Sequence, residues 1–152
     1  MSHLSTITNV ALTNLSALER ALRIANQKRN LLLQLNVGVG QTIRGWNGIT
    51  QSKRYTAVIR CNNLNADIGL AFVPNTDQKP GAHPIIENNI LQNGHFVLEA
   101  DMMMLGPLGP RLNLITNLYS ATLIQATLGD ANEEGENLQM QLQDDNTILL
   151  AN

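Results

Sequence analysis

Only two stretches of this 152-residue chain place aliphatic residues at helical spacing, and short strand-like segments make up most of the rest. The first helical stretch begins at Leu15, where Asn14 or Ser16 can cap it, and the second runs from Arg111 to about Leu128. Runs of adjacent strands with only two helices favour an α+β fold, in which an antiparallel sheet has both main helices packed on one face. At this length we expect a single domain covering residues 1–152.

The predicted strands are separated by turn residues and by one long loop. The strands are Leu4–Leu12, Leu31–Val37, Thr42–Trp46, Tyr55–Cys61, Asp67–Val73, His95–Asp101, Asn137–Gln143 and Thr147–Ala151. Three prolines predict a loop over Pro74–Pro84, and Asn93-Gly94 predicts a hairpin turn before the following strand. Met102–Pro110 is interpreted as a bend leading into the second helix, and Gly129 as the glycine that ends it. The order strand–helix–strand–strand near both ends of the chain allows a pseudo-repeat.

Composition limits the core and the compartment. Hydrophobic residues make up 43% of the chain and aromatic residues only 3%, which predicts an aliphatic core. The single cysteine, Cys61, has no disulfide partner in the chain, and we expect it to be buried. No apolar run approaches the roughly 20 residues of a membrane span, and the N-terminus lacks the pattern of a secretion signal. We therefore expect a soluble protein.

The net charge of −2 conceals two halves of opposite sign. Residues 1–60 contain eight Lys/Arg and one acid, whereas residues 61–152 contain two Lys/Arg and eleven acids. Three interpretations remain open: an anionic partner for the first half, head-to-tail self-association, or charges that intermingle in the folded chain.

The sequence predicts no catalytic residues, metal ligands or cofactor site. His3, His83, His95 and Cys61 lack the close spacing of a zinc site, and no serine lies in a nucleophile-elbow context. Glu99 and Asp101 share one strand face, where Arg111 or Lys79 could pair with them. The alternative of a small-ligand enzyme requires a pocket that gathers a histidine, one of these two acids and the scarce aromatic residues Trp46 and Tyr119.

Two clusters are predicted to contact a partner. The first interleaves cations with aromatic rings and consists of Arg44, Trp46, Lys53, Arg54 and Tyr55, with Arg60 nearby. Such a cluster suits an acidic protein surface, or single-stranded nucleic acid as an alternative, with Arg44 and Trp46 on one strand face. The second is the apolar run Met102, Met103, Met104 and Leu105, whose methionines suit either a core or an adaptable contact surface.

Several segments resemble one known family. They are MSHLSTI, LSALERAL, IRGWNGIT, AVIRCNN, ADIGLAF, FVLEAD, LITNLYSATLI and LQMQLQDDNTILLA, which span almost the whole chain in order. The chain is similar to a divergent member of the hypothetical chloroplast reading frame thirty-five family of cyanobacteria and plastids. Where that family carries an Arg-Tyr-x-Tyr-His run this chain has 118–122 (LYSAT), and where it has an aromatic pair this chain has Met102–Met104.

The resemblance implies a role beside larger assemblies rather than a named reaction. It associates the chain with photosynthetic organisms, in the cyanobacterial cytoplasm or the plastid stroma. Together with the missing catalytic set, it predicts a non-enzymatic accessory or structural subunit bound to other protein subunits, with self-association or a peripheral position on a membrane complex as further options.

Overall fold

The computed structural model describes residues 4–6, 10–131 and 139–151. Nine strands and two α-helices follow one another along these residues. They are β1 (Leu4–Thr6), α1 (Leu15–Arg29), β2 (Leu33–Gln41), β3 (Tyr55–Cys61), β4 (Ala66–Pro74), β5 (Ile86–Glu87), β6 (Ile90–Leu91), β7 (Gly94–Asp101), α2 (Leu105–Ala131), β8 (Gln139–Leu142) and β9 (Ile148–Ala151). Short 3₁₀ turns occupy Trp46–Gly48 and Met102–Met104.

Five of the strands form one antiparallel sheet in the order β1-β7-β4-β3-β2. The central register places Leu70 of β4 opposite both Ala57 of β3 and Leu98 of β7. All three side chains are buried, so this register keeps an apolar row on one face of the sheet. The α+β class with an antiparallel sheet is therefore confirmed.

Both helices pack on that apolar face, as the sequence predicts. Because side chains alternate along a strand, every second residue of β3, β4 and β7 points toward the helices. The resulting core joins Ile59, Ile68 and Phe96 of the sheet to Leu18 of α1 and Ile115 of α2. Cys61 also lies buried on this face, and burial raises the pKa of its thiol to about 12.

Asparagine residues define both ends of α1. Of the two candidate caps, Asn14 is the one used, and its Oδ1 accepts a hydrogen bond of 3.0 Å from the amide of Ala17. The helix ends at Asn30, which is in the left-handed conformation with φ 55°. Asn26 then exchanges two hydrogen bonds of 2.9 Å with the backbone of Leu33, which fixes the start of β2 against the helix.

The second face of the sheet is covered by residues 42–54, hereafter the cover segment. Its Ile43 is fully buried in a cluster with Val58 and Ala71 of the sheet. The prediction of a strand over Thr42–Trp46 is wrong, because this segment folds back on itself: Gly45 donates its amide hydrogen to the carbonyl of Ile49 at 2.8 Å. The strand-like pairing of Arg44 is limited to an isolated bridge with Thr50.

The second helix is longer than its sequence pattern indicates. It begins at Leu105 rather than Arg111 and continues to Ala131, so both Pro110 and Gly129 lie inside it. Its first part carries little apolar periodicity, and Pro110 indicated a helix that starts after the proline, which is too late.

The Asn93-Gly94 pair does not form a hairpin turn. The tight turn is instead Asn88-Asn89, which joins β5 to β6 with φ values of 53° and 62°. Asn93 is buried and braces the preceding proline-rich loop, donating to the carbonyl of His83 at 2.8 Å and accepting from the amide of Ile85 at 2.9 Å.

The C-terminal strands β8 and β9 form their own hairpin, as predicted, and it packs against α2 rather than joining the main sheet. The backbone carbonyl of Asn146 in the hairpin turn accepts a hydrogen bond of 2.8 Å from the side-chain amide of Asn117. The strand–helix–strand–strand order therefore recurs in sequence, but the tertiary arrangement does not repeat. Residues 137–138 of the predicted strand, His3 and part of the predicted first strand (7–9) lie outside the described residues.

Candidate functional site

Three carboxylates project from the second face of the sheet toward the cover segment. Asp67 and Asp101 are fully buried and Glu99 is 8% exposed. A buried carboxylate requires a compensating donor, so the partners of these groups reveal what holds this region together. Each of the three binds at least one residue of the cover segment.

Asp67 is enclosed by two arginines. It accepts hydrogen bonds from the backbone amide of Arg44 at 2.7 Å and from the same residue's Nε and Nη2 at 2.9 and 2.7 Å. Arg60 donates a further bond of 2.8 Å from Nη1. Burial by itself raises the pKa of Asp67, but the hydrogen bonds from Arg44 and the charges of both arginines outweigh it, and the pKa lies below its ordinary value.

Glu99 binds a lysine and a tyrosine through one oxygen. Lys53 Nζ lies 2.8 Å and Tyr55 Oη 2.6 Å from Glu99 Oε1. Burial and the hydrogen bond to this carboxylate raise the pKa of Tyr55, so the phenol is neutral at physiological pH and acts as a donor. The expectation that Arg111 or Lys79 would pair with Glu99 and Asp101 is wrong, because residues of the cover segment bind both acids instead.

Asp101 connects two distant parts of the chain. Its Oδ2 accepts a hydrogen bond of 2.7 Å from the amide of Trp46, and its Oδ1 accepts one of 3.1 Å from the amide of Met103. Gly45 allows this approach, since a Cβ there would lie 2.3 Å from Asp101 Oδ2. One carboxylate therefore binds the backbone amides of both Trp46 and Met103, although 57 positions separate them in sequence.

Around Asp101, four large apolar side chains remain open to solvent, and we call them the Trp46–Met103 surface. They are Trp46 (46% exposed), Ile49 (59%), Met102 (50%) and Met103 (59%). Asn47 and Gly48 beside the tryptophan both have left-handed backbones, with φ 57° and 71°. The loop thus uses a buried carboxylate and two left-handed residues to hold the only tryptophan at the surface rather than in the core.

The predicted contact residues divide into exposed and buried groups. Tyr55 and Met104 are 3% and 7% exposed, so the expectation that they contact a partner is wrong: one covers Gly69 beneath the cover segment and the other packs in the helix-side core. Leu105 is half-buried, whereas Arg54 is exposed and donates to the carbonyl of Gly40. Ile49 is exposed as well, although no sequence pattern indicated it as a surface contact.

The ion pairs show how the basic first half and the acidic second half of the chain interact. Arg44 and Arg60 pair with Asp67, and Lys53 pairs with Glu99. In the part of the chain that the structure describes, every ion pair joins a base of residues 1–60 to an acid of residues 61–152. Intermingling of the two charged halves is therefore seen directly, and it uses most of the predicted basic cluster.

The groups required by the enzyme alternative do not converge. Tyr119 lies buried among the helices, where its hydroxyl oxygen accepts hydrogen bonds of 3.1 Å from the amides of Thr13 and Asn14. Glu99 and Asp101 lie across the sheet from it. Within residues 4–6, 10–131 and 139–151, no group of three or more His, Cys, Asp or Glu is placed to hold a metal ion.

Comparison with protein-family models, curated proteins and solved structures finds no match to this chain. The resemblance noted in the sequence therefore stays a prediction. Neither of the two described helices has the length and apolar character that crossing a membrane requires.

Proposed function

We propose that this chain is a non-enzymatic accessory or structural subunit that binds another protein through the Trp46–Met103 surface. The observation that carries the proposal is the Asp101 carboxylate, which brings the backbones of two exposed apolar residues, Trp46 and Met103, together. Tryptophan is among the residues that contribute most to binding energy in protein interfaces, and methionine adapts to the shape of a partner.

Charge indicates the chemistry of the partner. Lys53 binds Glu99, two residues before Asp101 on the same strand face, and 47% of its side chain remains exposed. Arg44, which belongs to the cover segment, is 28% exposed. An apolar centre with cations at its rim fits a protein that offers a hydrophobic groove bordered by acidic side chains.

The setting of the partner is a further part of the proposal. The resemblance in sequence suggests an assembly of a photosynthetic organism, in the cyanobacterial cytoplasm or the plastid stroma, with a peripheral position on a membrane complex as one form of it. Single-stranded nucleic acid is the weaker candidate, because Tyr55, the second aromatic ring of the predicted cluster, is buried and is not available to stack on a base.

Site-specific photo-crosslinking in cells of the source organism tests the proposal. A photoreactive residue at position 103 is expected to give one discrete adduct with another protein, whereas the same residue at Leu32, which is 60% exposed just before β2, is expected to give none. An adduct with a second copy of this chain would replace the proposal with self-association. A chain that sediments as a free monomer in native extract, with no adduct specific to position 103, would refute it.

The purified partner then allows a quantitative test. Because Trp46 is the only tryptophan, its fluorescence reports on this surface, and we expect a saturable shift to shorter wavelength as the partner excludes water. The Met103→Ser variant should weaken binding about 10- to 30-fold, in the range of a moderate hot spot. The matched control Leu32→Ser should change affinity less than twofold; equal losses in both variants would contradict the assignment of the surface.

A further inference from the structure

A cavity beside the N-terminal part of α2 is lined by two arginines, neither of which forms an ion pair within the part of the chain that the structure describes. It has a volume of about 350 Å³ and lies between the end of α1, the first turns of α2 and the turn between β8 and β9. Its walls are formed by Arg29, Leu31, Pro107, Pro110, Arg111, Leu114, Asp144 and Asn146. This volume is within the range of pockets that bind small organic molecules.

The two guanidinium groups differ in how completely their donors are used. Arg29 donates from Nε to the side-chain oxygen of Asn146 at 3.3 Å and from Nη2 to the carbonyl of Gln143. Arg111 makes one long contact, from Nη1 to the carbonyl of Pro107 at 3.4 Å. Its Nε is buried and has no hydrogen-bond acceptor among the described residues. A buried donor left in this state is unfavourable, so the protein does not fully satisfy this guanidinium.

No carboxylate neutralises these arginines in the described part of the chain. The ion pairs found there involve Arg44, Lys53 and Arg60, and Asp144 lines the same cavity without coming within 4.0 Å of either guanidinium. Two cations and one anion leave a formal excess of one positive charge in the cavity. That positive excess favours an anionic ligand over a neutral or cationic one.

Part of the remaining lining is apolar. Leu31, Leu114 and the two prolines of α2 contribute to it, so a ligand that reaches the arginines also contacts hydrocarbon. The planar guanidinium matches the paired oxygens of a carboxylate or phosphate, which adds geometric selectivity to the attraction of charge. We propose that this cavity, hereafter the Arg29–Arg111 pocket, binds a small organic oxyanion, a carboxylate or a phosphate monoester, that carries a nonpolar group.

The test uses the full chain with three probes: inorganic phosphate, phenyl phosphate and benzoate. Titration followed by NMR should show saturable binding of at least one aromatic probe, at least tenfold tighter than inorganic phosphate because of the apolar walls. The Nε–H resonance of Arg111 should shift along the same titration curve. Binding by phenyl phosphate alone would identify a phosphate ester as the ligand class, and binding by benzoate alone a carboxylate.

Variants separate a pocket from general charge attraction. Arg111→Gln should weaken binding at least tenfold, and Arg111→Lys, which keeps the charge but loses the planar fork, should weaken it by a smaller factor. Arg23→Gln is the matched control, since it removes an exposed arginine from the same helix as Arg29 and should leave affinity unchanged. If Arg111→Gln does not fold, the lysine variant and the Nε–H titration of the unaltered chain still decide. Absence of saturable binding by every probe, or an equal loss in the Arg23→Gln control, would overturn the proposal.

Discussion

Replacing Asp67 by asparagine tests whether the basic cluster of the sequence is consumed inside the fold. The four donors that Asp67 accepts all come from Arg44 and Arg60. An asparagine of the same shape would turn an NH₂ group toward at least one of these donors, so repulsion replaces a charge-assisted hydrogen bond.

The expected loss follows from the burial of the three groups. Removing one partner of a buried ion pair destabilises a protein by about 3–5 kcal/mol. Asp67 is fully buried, but the side chains of Arg44 and Arg60 are 28% and 23% exposed, so water can partly solvate them in the variant. We therefore expect Asp67→Asn to lower the free energy of unfolding by about 3 kcal/mol, the lower end of that range.

Urea denaturation at pH 7, followed by circular dichroism, measures this difference. Asp77→Asn, which changes an exposed carboxylate in the proline-rich loop, is the control and should stay within about 0.5 kcal/mol of the unaltered protein. Because the folded-state pKa of Asp67 is lowered, its contribution is complete above the unfolded value of about 3.9 and is lost as the pH falls through the folded value. The difference between the Asp67→Asn variant and the unaltered protein should therefore shrink only in that acid range. A loss below about 1 kcal/mol at pH 7, or one that persists unchanged into acid, would refute the reasoning.

Three further predictions concern packing, thiol reactivity and capping. Gly69→Ala should destabilise the protein by about 1–3 kcal/mol, because the added Cβ would lie 2.4 Å from the ring of Tyr55. Gly106→Ala, where a Cβ meets nothing within 4 Å, should be neutral or slightly stabilising. Thermal melts of both variants measure the difference, and a larger loss of stability in Gly106→Ala than in Gly69→Ala would contradict the packing. Cys61 should not react with a thiol reagent at pH 8 until denaturant is added, because its thiol is buried with a pKa of about 12; rapid labelling of the native protein would show otherwise. Asn14→Ala should lower the free energy of unfolding by about 1 kcal/mol through loss of the helix cap, and an unchanged urea midpoint would argue against that role.

The helix-covered face of the sheet could be predicted from the sequence because its signals are local. The β-branched residues of β3, the Leu15–Leu22 periodicity of α1 and the caps available at its start are all local features of the sequence. The same reasoning misplaced the start of α2, since Pro110 normally indicates a boundary, and here the proline lies inside the helix.

The candidate site, by contrast, was only partly visible in the sequence. The sequence predicts Trp46 and Met102–Met103 as contact residues separately, but nothing local connects them. The link is Asp101, whose two oxygens bind backbone amides from both segments, and a backbone donor leaves no signature in residue identity.

The sequence by itself determined an aliphatic α+β core with two helices on one face of an antiparallel sheet, because hydrophobic periodicity and turn residues act over short distances. Only the tertiary structure decided how the charged residues are used. It placed the cover segment over the second face, so bases of the first half neutralise buried acids of the second. It also left the tryptophan, two methionines and the Arg29–Arg111 pocket accessible, because these depend on which distant segments meet in the folded chain.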